Sequence, residues 1–218
     1  MERKITLSLY ITALVISIII FLVGIFVGTL VDKSIFEGVT GEVSKISDKM
    51  AALQLLLLME DNSSSFCPVY SAELDSMDSE VEAVGYKLSY LEDQKQAFDV
   101  DLKKRYFTLE AESYLLSKRV KQLCGDNNIL LINFYSNKNC DSCRTQGDEI
   151  LKAKEYFKAQ NITVKLYSFD GELGSPVADA FAKQYGVTKY PSVIINERTY
   201  GGYQDFEKLK SAINVTQS

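Results

Sequence analysis

The most constraining feature of the sequence is an uncharged stretch near the start of the chain. From Ile5 to Val31 there are 27 residues without Asp, Glu, Lys or Arg. A helix of this length reaches roughly 40 Å, which is enough to cross a hydrocarbon core of about 30 Å with some tilt. The stretch is also longer than the apolar core of a cleaved signal peptide, which is about 7–15 residues. The sequence therefore predicts an uncleaved transmembrane anchor over residues 5–31, behind a short tail of residues 1–4.

The residues flanking and within the anchor bear on its orientation and assembly. Arg3 and Lys4 precede the anchor, and Lys33 follows it. A basic tail before a first hydrophobic segment favours a cytoplasmic N-terminus, and long domains translocate largely regardless of charge. We therefore predict that the C-terminal portion lies outside the cytoplasm. Gly24 and Gly28 form a GxxxG pair, which indicates either close packing of two anchors in a homodimer or two glycines that face lipid.

The composition excludes several classes of function. The 218 residues include no His, so Ser-His-Asp catalysis, Cys-His catalysis and His-ligated metal sites are excluded. Asp and Glu (29) outnumber Lys and Arg (24), and there is no basic run interleaved with aromatic residues. Nucleic acid is therefore not an expected partner.

The middle of the chain has the apolar spacing of helices. A first helix is predicted over residues 41–60, before the polar residues 61–65. Two further apolar seams follow, from Leu74 to Leu91 and from Leu102 to Leu123. The polar run Glu92–Gln96 separates them.

Two architectures fit the last two seams. If the polar run is a turn, residues 67–124 form an antiparallel hairpin, and Cys67 and Cys124 meet at its open end as a structural disulfide. If one helix continues through the polar run, apolar residues at seven-residue spacing form a coiled coil. The two cysteines then lie roughly 80 Å apart and pair only across a parallel dimer. The hairpin is favoured, because the polar run falls midway between the cysteines and Asp99 offers a helix N-cap just after it.

The periodicity changes again at Ile129. The run Ile129–Tyr135 is continuously apolar, as is typical of a buried parallel strand. It leads through polar residues into Cys140-Asp-Ser-Cys143 and then into a helical pattern. The positive dipole end of a helix stabilises a thiolate. Two residues between the cysteines allow one thiol to attack a disulfide and the other to resolve the mixed disulfide.

Strands and helices alternate from there to the end of the chain. The predicted elements after the cysteines are a strand over 162–169, a helix around 177–185, a strand opened by Pro191, a hairpin strand through 199–202 and a helix over 205–213. This βαβαββα order predicts a sheet that contains parallel strands and has an antiparallel edge.

Three landmarks in residues 129–218 resemble the thioredoxin superfamily. They are the strand-CxxC-helix, Pro191 before the third strand, and the turn at Gly201-Gly202. The segment Tyr185–Ser192 is similar to the pre-proline segment of protein disulfide isomerase domains. The resemblance implies a minimal α/β thioredoxin-like fold without the first βα unit.

The resemblance also implies roles for individual residues. Cys140 would be the exposed nucleophile and Cys143 the buried resolving thiol. Pro191 would be cis and would place the backbone of Tyr190 beside Cys140, where it pairs with the substrate chain.

The sequence departs from the family at three positions. Asn133 stands where many thioredoxins have a buried Asp that assists proton transfer, and Asn139 replaces the usual Trp before the first cysteine. Asp141 adds a negative charge that disfavours the Cys140 thiolate. The changes at Asn133 and Asn139 argue against fast thioredoxin-like reduction, and Asp141 argues against a strong oxidant.

The sequence as a whole predicts a membrane-anchored thiol-disulfide oxidoreductase. Its expected partners are protein thiols or disulfides, or a partner redox protein, and no cofactor is expected. A zinc site is not predicted, because Cys67 and Cys124 are the only further ligands and they flank a helical segment. The alternative is a membrane-tethered interaction protein with a helical assembly region and a degenerate thioredoxin fold.

Overall fold

The computed structural model describes residues 7–59, 66–95 and 98–215. The chain divides into two compact units, Met1–Glu42 and Val43–Ser218. The tail predicted over residues 1–4 lies outside the described residues, as does Gln96 at the end of the predicted polar turn.

Of the predicted anchor, residues 7–31 are described, and they lie in one long helix, α1 (Leu7–Met59). This helix is long and apolar enough to cross a membrane, and Phe21 on it is 68% exposed. The sequence indicated two helices, over 5–31 and 41–60, but α1 continues through Gly41. A glycine costs a helix interior about 1 kcal/mol, yet it keeps the N–H group that a proline would remove. A glycine alone therefore does not end the helix.

Two helices follow α1, and they pack against each other as an antiparallel hairpin. These are α2 (Cys67–Lys95) and α3 (Val100–Cys124). Asp99 caps α3, and its carboxylate accepts the N–H of Leu102 at 3.0 Å. A Cβ at Gly85 would collide with the Tyr106 hydroxyl, so this glycine permits the close approach of the two helices.

A disulfide between Cys67 and Cys124 closes the open end of the hairpin, with the two Cα atoms 5.5 Å apart. The structure thus has the hairpin that the sequence favoured and not the continuous coiled coil. The polar run ends α2 at Lys95 without Gly or Pro, and the N-cap at Asp99 starts α3.

The remaining elements form an α/β arrangement in the predicted order. The strands are β1 (Ile129–Tyr135), β2 (Val164–Asp170), β3 (Ser192–Ile195) and β4 (Arg198–Gly201), and the helices are α4 (Asp141–Lys158), α5 (Pro176–Gln184) and α6 (Phe206–Val215). The strand order in the sheet is β2-β1-β3-β4. Strands β1 and β2 are parallel, and β3 is antiparallel to both β1 and β4. The predicted mixed sheet with an antiparallel edge is therefore confirmed.

The central strand β1 is buried on both faces because helices cover both sides of the sheet. On one face Leu131 packs in a core with Ile150 of α4 and Leu209 of α6. On the other face Phe134 stacks on Phe169 of β2, with their ring centroids 5.5 Å apart.

The hairpin helix α3 covers that second face. Phe107 meets Phe169 edge to face at 5.6 Å, and Tyr114 meets Tyr167 in the same way at 5.4 Å. Residues 67–124 therefore share a core with the sheet, whereas their sequence pattern predicts a separate helical region. Helical periodicity identifies an apolar seam but does not say what packs on it.

The two disulfides should differ in their contribution to stability. In the chain-entropy model, a bridge across the 57-residue separation of Cys67 and Cys124 is worth about 4 kcal/mol, whereas one across three residues is worth about 2 kcal/mol. Replacing Cys67 and Cys124 by Ser should therefore lower the free energy of unfolding more than replacing Cys140 and Cys143 by Ser. Urea denaturation of the two double variants measures both values, and equal losses would contradict a closed hairpin.

The contact between α3 and the sheet predicts energetic coupling. Phe107→Ala and Phe169→Ala should each cost about 3–5 kcal/mol, and the double variant should cost less than the sum by about 1 kcal/mol, because the two rings contact each other. Near-ultraviolet circular dichroism of the tyrosines can follow unfolding. Leu115→Ala, at a position 51% exposed on α3, is the control and should be additive with Phe169→Ala. If the costs of Phe107→Ala and Phe169→Ala are also additive, α3 does not pack on the sheet.

Candidate functional site

Three loops meet at one end of the strands, next to the C-terminal end of β1. The register pairs Tyr135 with Asp170 of β2 and Phe134 with Ser192 of β3. The loop after β1, the loop after β2 and the loop before β3 therefore lie at the same end of the sheet. These loops contain the segments 136–140, 171–175 and 185–191.

The Cys140–Cys143 pair lies where the first of these loops enters α4. Cys140 is the N-cap residue of α4, and Cys143 lies in its first turn. The two are joined in a disulfide, with Cα atoms 5.3 Å apart. Cys143 is 7% exposed, whereas Cys140 is half-buried. An incoming thiolate therefore reaches the sulfur of Cys140 more readily than that of Cys143.

The backbone holds the inner sulfur in place. The N–H of Ser136 donates to Sγ of Cys143 at 3.4 Å. Such a donor, together with the positive end of α4, stabilises negative charge on this sulfur after reduction. Sγ of Cys140 lies 3.8 Å from the hydroxyl of Ser142.

The loop before β3 contains a cis peptide bond between Tyr190 and Pro191. The Pro191 carbonyl accepts the N–H of Gly202 at 2.8 Å, and the Tyr190 hydroxyl donates to the carbonyl of Gly171 at 3.1 Å. A Cβ at Gly171 would collide with the Tyr190 ring. The Tyr190 ring is therefore tied to the loop after β2. The pairing of the Tyr190 backbone with a substrate stays a prediction.

Polar side chains connect the loop before the cysteines to the loop after β2. Asn137 donates from its amide to Asp170 at 3.1 Å, and the Ser136 hydroxyl donates to Glu172. Ser136 also accepts the N–H of Lys138 at 2.9 Å. Sequence reasoning did not identify these positioning residues. In the sequence, the polar run 136–139 indicates a loop, but it does not indicate which residues that loop contacts.

Asn133, at the position compared above with the buried Asp of many thioredoxins, is buried on the α4 and α6 face of β1. It is 6% exposed, and within the described residues its Oδ1 has no hydrogen-bond partner. A neutral amide does not take up a proton near neutral pH. Asn133 therefore does not supply the proton acceptor that an Asp would provide.

The hairpin contributes two charged residues to a cavity of about 500 Å³ beside the disulfide. Lys103 of α3 is only 4% exposed, and its Nζ lies 2.8 and 3.0 Å from the two carboxylate oxygens of Glu92 on α2. Cys140 and Cys143 line the same cavity. The sequence did not indicate this arrangement, because a lysine in a helix ordinarily faces solvent.

A second cavity, of about 390 Å³, lies between the hairpin and the edge strand β2. It shares Ser89, Lys103 and Tyr135 with the first cavity. Glu110 lines it and accepts a hydrogen bond from the Tyr106 hydroxyl. Burial disfavours the charged carboxylate and raises the pKa of Glu110 to about 8.

Ion pairs join α2 to the sheet around this second cavity. Lys165 of β2 lies 2.7 Å from carboxylate oxygens of both Asp75 and Asp78, and Lys154 of α4 lies 2.7 Å from Glu82. These contacts place α2 along the edge strand and hold the hairpin beside the cysteines.

No protein-family model matches the chain, and no curated protein is similar to it. Among the residues that the structure describes, no group of three or more His, Cys, Asp or Glu side chains is arranged to hold a metal ion.

The raised pKa of Glu110 predicts how stability depends on pH. The unfolded chain ionises this carboxyl near the ordinary pKa of 4.5, whereas the folded protein keeps its proton up to about 8. The free energy of unfolding should therefore fall as the pH rises between these values. Glu110→Gln keeps an acceptor for Tyr106 without a charge, and at pH 8 it should unfold with a free energy higher by roughly 1–4 kcal/mol.

Urea denaturation at pH 5 and pH 8 tests this prediction. Glu155→Gln, at an exposed position of α4, is the control for the loss of one negative charge. A similar gain in both variants would contradict a special role for burial at Glu110.

Proposed function

We propose that the protein is a membrane-anchored thiol-disulfide oxidoreductase whose C-terminal α/β part has a thioredoxin-like fold. The observation that carries the proposal is the pair Cys140–Cys143 at the strand-to-helix junction. One sulfur is accessible at the N-cap of α4, and the other is buried and receives the Ser136 N–H at 3.4 Å. This asymmetry suits an attacking and a resolving thiol.

Two features of the fold support the thioredoxin-like assignment. The mixed sheet has the order β2-β1-β3-β4 with β1 and β2 parallel, and helices cover both faces. The cis bond at Pro191 lies at the same end of the sheet as the cysteines, because Phe134 pairs with Ser192. The proposed role of Pro191 and the backbone of Tyr190 is to align the substrate chain.

The proposed exchange has two steps. A substrate thiolate attacks Sγ of Cys140, the Cys140–Cys143 bond breaks, and Cys143 leaves as a thiolate. The second substrate thiolate then attacks the substrate sulfur of the mixed disulfide and releases the Cys140 thiolate. The substrate thereby loses two electrons and its two thiol protons, and the enzyme becomes a dithiol; the reverse steps reduce a substrate disulfide.

The proposed compartment is supported by the other cysteine pair and by α1. Disulfides persist in oxidising compartments and are rare in the cytosol, so the Cys67–Cys124 bridge supports a location outside the cytoplasm. The proposed topology has α1 spanning the membrane with its N-terminus in the cytoplasm. The substrates would be thiols or disulfides of exported proteins, or those of a partner redox protein.

Trapping separates this proposal from a non-catalytic interaction protein. Cys143→Ser removes the resolving thiol, so mixed disulfides through Cys140 should accumulate and appear on non-reducing gels after acid quenching. Cys140→Ser should form few of them, because Cys143 is buried. At pH 7 Cys140 in the Cys143→Ser protein should also react with iodoacetamide about tenfold faster than free cysteine, because the helix end stabilises its thiolate.

The double variant Cys140→Ser, Cys143→Ser is the control for adducts through the hairpin cysteines. If Cys143→Ser traps no partner and Cys140 reacts no faster than free cysteine, the enzyme proposal is wrong and the interaction protein is favoured.

A further inference from the structure

The ion pair between Lys103 and Glu92 is the feature of the site with no assigned role. Lysine is almost never fully buried without a partner, and Lys103 is 4% exposed. Both members line the cavity that contains the redox pair. They come from the hairpin and not from the sheet or from α4.

The position of the pair matters because reduction creates charge in this cavity. Opening the disulfide produces a thiolate at Cys143 or Cys140, and a cation facing that cavity stabilises it while an anion destabilises it. Asp141 and Arg144 face the same cavity from the start of α4, and Tyr135 faces it from β1. Of these groups, Lys103 is a cation with almost no exposure to screening solvent, so its effect on a nearby charge is the least screened.

We propose that Lys103 is a positioning residue that sets the reduction potential of Cys140–Cys143, with Glu92 opposing it. The inference rests on the proposed function. Lys103 stabilises the reduced, thiolate-bearing form and makes the pair more oxidising, whereas Glu92 holds the lysine in place and limits its effect. Both charged residues come from the hairpin and line the cavity that contains the cysteines.

Removing the charge of Lys103 and removing the charge of Glu92 should shift the reduction potential of Cys140–Cys143 in opposite directions. The full-length protein in detergent is equilibrated with glutathione, which supplies the electrons: two glutathione thiols become one glutathione disulfide as the enzyme disulfide becomes a dithiol. Acid quenching, alkylation and mass spectrometry of the peptide containing Cys140 and Cys143 then give the equilibrium constant for this pair alone.

Lys103→Met should shift the equilibrium constant about tenfold towards the disulfide. This corresponds to a reduction potential about 30 mV more negative. Glu92→Gln removes the negative charge opposite Lys103 and should shift the equilibrium constant about tenfold towards the dithiol. Lys103→Arg keeps the charge and should stay within about threefold of the unmodified protein. Lys104→Met removes the same charge from the neighbouring position, which does not line the cavity, and should also stay within threefold.

A purely structural role would not produce shifts of opposite sign. If Lys103→Met and Glu92→Gln move the constant in the same direction, or neither moves it, the inference is wrong. If Lys103→Met fails to fold, the Glu92→Gln arm decides alone, and the absence of an oxidising shift overturns the inference. Failure of the proposed function gives a different result, namely a pair that does not equilibrate with glutathione at all.

Discussion

The packing of α3 on the sheet is the interaction on which the rest of the structure depends. Strand β1 is apolar on both faces, so it is stable only between two covering layers. Helices α4 and α6 provide one layer, while Phe107 and Tyr114 of α3 provide much of the other. The same packing fixes where α2 lies, and so places Glu92 and Lys103 beside the cysteines. Stability and site geometry therefore share one cause.

The face of α3 towards α2 and β2 is unusual because it is both buried and polar. Lys103, Glu110 and Ser117 follow one another at helical spacing and are all below 5% exposed. Each has a partner from another side chain: Glu92, Tyr106 and Tyr167, respectively. Burying such groups is costly unless they are hydrogen-bonded. This face accordingly contributes less stability than an apolar one. Of the three pairs, the hydrogen bond from the Tyr167 hydroxyl to Ser117 joins α3 to the sheet.

The sequence predicted the elements that carry a local signal. The strand before Cys140, the helix N-cap at Asp99 and the alternating order after Ile129 are each visible within a short window, and the structure has them. Contacts across long separations have no such signal. Neither the packing of Phe107 on Phe169 nor the cavity that Lys103 shares with the cysteines follows from periodicity, because both depend on how a helical hairpin packs on a sheet. The continuity of α1 through Gly41 was missed for the opposite reason, since a weak local signal was taken as a boundary.

The position of the two disulfides in the chain has a consequence for biogenesis. Cys67 and Cys124 both precede the sheet, so they leave the ribosome before Cys140 and Cys143. A growing chain folds its N-terminal parts first, and the hairpin can close its own bridge while the α/β part is still being made. If the bridge forms first, the two hairpin thiols are no longer free to pair with Cys140 or Cys143. In such an intermediate Phe107 and Tyr114 would lack the β2 rings that cover them in the folded protein, and exposed apolar surface of this kind promotes aggregation.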